Sequence, residues 1–324
     1  MNKVLPIGSL DLNETKLDSA PICMVLLSAY NGEQFISDQI KSIINQDGVK
    51  TYITVRDDGS KDKTLDIILS LQKEYPARIN VIKGNNKGIH ASFLELMQCI
   101  HNDESDYVAF SDQDDIWDHD KLIIAISSLE KEDASFYSCA SRLVDERGSE
   151  IGTTTSNIGK YSFYMLGNSK ILTPGAQGCT MVVRNNLFHQ VIRRGVPAEY
   201  GHDTWIPVIA YCLGESIYDP NPHMSYRQHN NSWTGNRKNR MKQLIKEARQ
   251  YFVGLSRYKP LAKDVLEKFS DSLSQEDREV ISCIASDDLG FINRIQHLEK
   301  LKFGKYGWKE NFIFKFYYIL GFIK

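Results

Sequence analysis

Between Ile22 and Trp117 the chain repeats one pattern: a short continuous apolar run, a polar loop, then apolar residues at helical spacing. The first run, Ile22-Cys23-Met24-Val25-Leu26-Leu27, breaks at Ser28-Ala29-Tyr30-Asn31-Gly32 and leads into Phe35, Ile36, Gln39, Ile40, Ile43 and Ile44. Tyr52–Val55 is a second run, with Asp57-Asp58-Gly59-Ser60 as its loop and a helical pattern over Lys63–Glu74. Ile79–Ile82, with a helix over Ala91–Ile100, is a third, and Tyr107–Phe110 is a fourth. Apolar runs without alternation read as strands buried on both faces, and strands alternating with helices form a parallel sheet with right-handed crossovers. Such sheets hold ligands at strand C-termini, so loops 28–32, 57–60 and 111–115 are expected to gather at one edge.

The loop after the fourth strand, Ser111-Asp112-Gln113-Asp114-Asp115-Ile116-Trp117, packs three carboxylates into four residues. Oxygen ligands at this density suit a hard cation such as Mg²⁺ or Mn²⁺, and such an ion is what a diphosphate leaving group needs. The same residues also read as a solvated acidic turn that caps the next helix. An EF-hand calcium loop does not fit, because Trp117 stands where that loop requires glycine. Neither G-x-G-x-x-G after the first strand nor G-x-x-x-x-G-K-[ST] is present, so dinucleotide binding and P-loop phosphoryl transfer lack their phosphate cradles. Asp58 reads either as an acceptor for a nucleobase N–H or ribose hydroxyl, or as a simple Asp-Gly turn residue.

The second half is less regular. Strands are expected at Ser135–Ala140, Cys179–Val183 and Met224–Gln228, and helices at Asn185–Arg193 and Thr204–Leu213. A further helix from Gln275 carries a capping pattern at Ser274. Residues 237–255 form a basic amphipathic stretch, and 303–324 alternate aromatics with lysines. Together they read as a surface lying on an anionic membrane, or as a helix packed on the preceding domain with a solvated charged face. A net charge of -2 over 324 residues gives nothing global to attract nucleic acid. Six cysteines without C-x-x-C read as reduced core residues of a cytoplasmic protein. The first twenty residues lack the apolar centre of a signal peptide, and no run approaches the roughly 20 apolar residues that span a bilayer.

The loops already quoted, with Arg56–Thr64, Gly201-His202-Asp203-Thr204-Trp205 and Tyr226-Arg227-Gln228-His229-Asn230-Asn231, resemble the inverting family 2 glycosyltransferases with a GT-A fold. The rhamnosyltransferase branch, which builds capsule, O-antigen or cell-wall polysaccharide, is the most similar. The resemblance implies a Rossmann-like α/β fold with a mixed sheet flanked by helices. It divides the chain into a leader at 1–20, a GT-A domain at 21–232 and a helical C-terminal extension at 233–324. It implies a nucleoside diphosphate sugar donor, dTDP- or UDP-linked, a glycan or lipid-linked glycan acceptor, and a divalent cofactor, Mn²⁺ or Mg²⁺. It places such an enzyme in the cytoplasm or on the inner face of the plasma membrane. By resemblance, Asp58 contacts the base, with the backbone of Ala29 and Tyr30 lining its pocket. Asp112 faces the ribose, Asp114 and His229 hold the metal, and Asp203 is the general base.

The chemistry supports part of this independently. An inverting transfer needs a carboxylate to take the acceptor proton and a metal opposite to stabilise the departing diphosphate, so base and metal belong on different elements. Asp203 meets that demand, and it also reads as the N-cap of the helix Thr204–Leu213. His229 reads equally as a surface or satisfied core histidine. Trp205 and Trp233 read as packing residues or sugar-stacking faces, and Gly175 and Gly178 around Gln177 as turn formers or acceptor-pocket residues. Two rivals stand beside the transferase reading. A sugar-nucleotidyltransferase would want a Gly-rich basic loop after the first strand, and Ser28–Gln34 has one glycine and no lysine or arginine. An inactive binding or scaffold subunit of a polysaccharide assembly complex would keep the fold without turnover.

Overall fold

The structure, a computed structural model, describes residues 20–100, 105–153, 176–213, 216–228 and 259–286. His229, Trp233, Gly175 and the stretches 237–255 and 303–324 lie outside the described residues. Strands β1 (Ile22–Ala29), β2 (Lys50–Asp57), β3 (Ile79–Lys83) and β4 (Tyr107–Ser111) run parallel in the order β3-β2-β1-β4. Helices α1 (Ile36–Ile44), α2 (Thr64–Glu74) and α3 (Ile89–Cys99) make the crossovers, as the repeated pattern predicts. Beyond β4 the sheet becomes mixed. β5 (Ile116–Trp117), α4 (Lys121–Lys131), β6 (Phe136–Val144), β7 (Glu150–Thr153) and β8 (Val182–Arg184) follow, and β8 pairs antiparallel with both β4 and β6. Then come α5 (Asn185–Arg194), α6 (His202–Leu213) and β9 (Ser216–Arg227), which runs parallel to β6 and antiparallel to β5.

Side chains of the central strands alternate between two cores. Val25, Leu27 and Ala109 pack with Ile36, Ile40, Ile68 and, from α4, Leu122 and Ile126. Leu26, Val108 and Phe110 pack on the other face with Phe93, Phe188, Trp205 and Ile209. That second core also takes Leu261, Val265 and Phe269 from a helix at 259–269, labelled α7, and Val280 and Ile281 from α8 (Gln275–Ala285). The Ser274 hydroxyl accepts the Asp277 N–H at 3.1 Å, so the capping pattern read in the sequence is real. No helix among the described residues is long and apolar enough to cross a membrane.

Several expected boundaries move, each for a local reason. Gly178–Thr180 is a single 3₁₀ turn, so the strand expected over Cys179–Val183 shortens to Val182–Arg184. β9 begins at Ser216 rather than Met224 and carries Pro220 and Pro222. These prolines fit because the register slips there: Cys139 pairs with Asp219 and Ala140 with Pro222. The helix expected at Thr204–Leu213 begins at His202, and Gly201 O accepts the Thr204 and Trp205 N–H groups, so Asp203 lies inside the first turn and is not the cap. Nor does Asp115 cap the next helix: β5 intervenes, and Asp115 is buried rather than solvated.

Candidate active site

The loops after β1 and β2 are laced together. Asn31 takes φ 50° and its side-chain oxygen accepts the Lys61 N–H at 2.8 Å. Gly32 N donates to Thr64 Oγ1 at 2.7 Å, and Asp58 N to Ala29 O at 2.7 Å. Gln113 clamps the next loop onto them: Tyr30 N donates to its Oε1 at 2.8 Å, and its Nε2 donates to Tyr30 O at 3.0 Å. The backbone of Ala29 and Tyr30 therefore stands directly beside the acidic stretch, with the Tyr30 ring exposed.

Asp58 is buried and already occupied. It accepts Arg56 Nη1 at 2.5 Å, the Lys87 N–H at 2.9 Å and the Gly88 N–H at 2.9 Å. A carboxylate offers about four acceptor directions, so roughly one remains for a ligand.

The three acids of the loop differ in surroundings. Asp115 Oδ1 faces the Arg227 N–H at 3.4 Å, while its buried Oδ2 has no N–H or O–H partner; the Cys179 thiol lies beside the carboxyl group. Ligand atoms of Asp112, Asp115 and Cys179 all lie within 4.8 Å of one another. Arg227 fixes the loop from β9: its Nε donates to Asp114 O at 3.1 Å, and its guanidinium lies 4.5 Å over the Phe35 ring. Below the acids, Lys121 is fully buried, donates to Cys179 O at 2.6 Å and stands 3.2 Å over the Trp117 ring.

Burial, then the charges of Asp114 and Asp203, push Asp112 up to about 7, against the pull of Lys121. Burial and the neighbouring Asp112 and Asp114 push Asp115 well above the carboxylate range. Burial lowers Lys121 to about 8, opposed by the sulfurs of Cys139 and Cys179 and by Asp115. Acids that crowd together away from water cannot all ionise unless a cation joins them. The crowded carboxylates, with Asp115 Oδ2 lacking an N–H or O–H partner, fit a hard divalent ion, whereas the Cys179 thiol beside them is a soft donor that burial keeps protonated. A second group, Asp118, Asp120 and His223, also has ligand spacing, but Asp118 is paired with Arg142.

Asp203 approaches from α6. Pro207, four residues on, has no N–H for the Asp203 carbonyl, which accepts the Ala176 N–H at 3.1 Å instead. The proline thus ties the 176–180 turn to the head of α6. Burial raises the Asp203 carboxyl, and His90 works against that. The preceding His202 is buried between Phe93 and Phe110, ring centroids 4.0 and 4.7 Å away, with neither ring nitrogen partnered. Burial, then the charge of His90, lowers it to about 3. A Cβ on Gly178 would stand 2.6 Å from His202 Nε2, which explains a glycine there. Trp205 is fully buried, parallel to Tyr200 at 5.7 Å, so it is a packing residue.

The structure therefore brings Ala29, Tyr30, Asp58, Asp112 and Asp114 to one sheet edge and sets Asp203 within electrostatic reach of Asp112. Reading the sequence missed Gln113, Lys121, Cys179, His90 and Arg227. Gln113 could have been suspected from its place between the acids; Lys121 and Cys179 carry no local signal.

A parallel sheet that turns mixed after its fourth strand, with an acidic loop there and a further acid at a later helix head, is the architecture of a GT-A fold. The solved structures agree on the fold. S. aureus TarS 1-349 in complex with UDP-GlcNAc matches at TM-score 0.55 and 15% identity over 93% of this chain and 81% of that one. The Pyrobaculum calidifontis mannosyltransferase PcManGT in complex with GDP-Man and Mn²⁺ matches at TM-score 0.50 and 14% identity over 95% and 89%. Residues 24–192 match the family model of Glycosyl transferase family 2, and the chain belongs to that family. It is 34% identical over 227 residues to the Shigella flexneri dTDP-rhamnosyl transferase RfbG, covering 64% of this chain and 73% of that protein. The chain is a glycosyltransferase.

Proposed function

We propose that the chain moves a sugar, rhamnose before others, from a dTDP- or UDP-linked donor to a growing capsular, O-antigen or cell-wall glycan, with inversion at the anomeric carbon. The observation that carries this reading is that the 178–179 turn links two acids standing on different elements: a Cβ on Gly178 would stand 3.5 Å from Asp203 Cβ, and the Cys179 sulfur lies within 4.8 Å of an Asp112 carboxylate oxygen. Inverting displacement requires two such groups, with a base on one side of the sugar and an anchor for the leaving diphosphate on the other. Asp203 takes the acceptor proton while the acceptor oxygen bonds the anomeric carbon, and the carbon–diphosphate bond breaks with its electron pair on the phosphate oxygen. Its raised affinity for protons suits a base.

Asp112 turns to the ribose, and Asp114 with His229 would hold Mn²⁺ or Mg²⁺, which when bound would neutralise charge on the diphosphate. Ala29 and Tyr30 line the base with their backbone, and Asp58 meets it through the acceptor direction its internal partners leave. The rhamnose preference is supported by RfbG, a dTDP-rhamnosyl transferase, and the metal by PcManGT, solved with Mn²⁺. The site lies in the cytoplasm, and 237–255 with 303–324 bring it to an anionic membrane that carries a lipid-linked acceptor.

The test is a thermal-shift panel of dTDP-rhamnose, UDP-glucose, UDP-galactose, UDP-N-acetylglucosamine and GDP-mannose, each with and without Mn²⁺, on wild type and Asp114→Ala. A metal-dependent rise with dTDP-rhamnose that Asp114→Ala abolishes supports the reading. A rise with none of them contradicts the donor assignment.

A further inference from the structure

His90 is the second residue of α3, and its position is fixed from both sides. The Lys87 and Gly88 amides hang on Asp58 at 2.9 Å, so the segment feeding α3 is anchored on the buried Arg56–Asp58 pair. One turn onward, Phe93 lies against His202 with ring centroids 4.0 Å apart. These two contacts bring the N-terminal ends of α3 and α6 together. Gly201, just before α6, shows how closely: a Cβ there would stand 2.6 Å from His90 Nδ1 and nearer still to Asp203 Oδ1. An imidazole nitrogen and a carboxylate oxygen thus converge over bare backbone.

Resting on the reading of Asp203 as the base, we propose that His90 is its positioning residue, with the Nδ1 edge of the imidazole holding the carboxylate toward the acceptor hydroxyl. Three features support the assignment. His90 is exposed while Asp203 is partly buried, so the imidazole serves no core that would otherwise explain its presence. The protonated imidazole favours the ionised, proton-accepting form of Asp203 against burial. The hydrogen-bonding partner of a general base commonly fixes its orientation, and a displacement of 1 Å at such a group can cost about 10²-fold in rate.

The experiment measures sugar transfer from dTDP-rhamnose with Mn²⁺ by wild type, His90→Ala, His90→Asn and Asp203→Asn, with donor binding followed by thermal shift. Asparagine is the conservative variant because its side-chain amide stands as far from the backbone as Nδ1 does. His90→Ala is expected to lose about 10²-fold in kcat with KM and the donor-induced shift unchanged, and His90→Asn to recover most of it. His90→Ala turning over like wild type while Asp203→Asn is dead would overturn the role of His90 and leave the base standing. Loss of donor binding in His90→Ala would overturn it too, because His90 would then act on the donor. Full turnover by Asp203→Asn would remove the reading on which it rests.

Discussion

Arg56 and Asp58, two residues apart at the end of β2, form a buried ion pair with Nη1 and Oδ1 2.5 Å apart. Asp58 in turn holds the Lys87 and Gly88 amides, and Arg56 donates to Asn85 O at 3.2 Å. The pair fastens the segment before α3 to the sheet.

Asp58→Ala should therefore unfold more easily even without ligand, since it leaves the Lys87 and Gly88 amides without their acceptor and removes one of the two carboxylates on Arg56, Glu95 remaining at 3.1 Å. A loss of about 1–3 kcal/mol is expected in urea denaturation. Unchanged stability would mean that Asp58 serves the ligand alone.

His202 adds an acid-sensitive contribution to stability. Its folded value, about 3, lies below its ordinary 6.5, so the native state refuses a proton that the unfolded chain takes up. The stability tied to this refusal is complete above pH 6.5 and is lost as pH falls from there toward 3. His202→Gln, which cannot titrate, should lose less melting temperature than wild type between pH 7 and 4.5. A parallel decline in the two proteins would show that His202 accepts a proton inside the fold.

Asp112 contributes in the opposite sense. Its folded value, about 7, lies above the ordinary 3.8, so its stabilising effect is complete below 3.8 and lost as pH rises through 7. Asp112→Asn should remove this slope from melting curves between pH 5 and 8. Mn²⁺ at pH 8 should raise the melting temperature of wild type and EDTA should reverse it, because a cation relieves the repulsion among the acids.

Gly201→Ala should fold, yet lose about 10²-fold in turnover, because its methyl group takes the space in which Asp203 Oδ1 and His90 Nδ1 meet. A kinetic assay beside a melting curve separates these effects. Wild-type turnover would show that the two side chains can yield without cost.

How much of this was legible in the sequence depended on the reach of each cause. Runs such as Met24-Val25-Leu26-Leu27 announce a strand because burial on both faces is a local property of composition. β5, two residues long, exists only through its pairing of Ile116 with Ser225 and Trp117 with Met224, which no local pattern carries. β9 was half hidden because Pro220 and Pro222 argue against a strand until the bulge that accommodates them is known. In the site, the acid loop declared itself by composition. Lys121 looked like an ordinary lysine at a helix start, and its burial comes from tertiary packing, against the Trp117 ring and the Cys179 carbonyl among others.

The opposition of Asp203 to the Asp112–Asp115 loop is tested most directly by Asp203→Asn, with dTDP-rhamnose affinity measured by calorimetry in the presence of Mn²⁺ and dTDP release measured on a glycan acceptor. Donor affinity within about twofold of wild type and turnover lowered by 10²-fold or more, the scale of a general base, is the result expected. Turnover near that of wild type, or lost donor binding with lost turnover, would contradict the assignment of base and donor to opposite sides of the crevice.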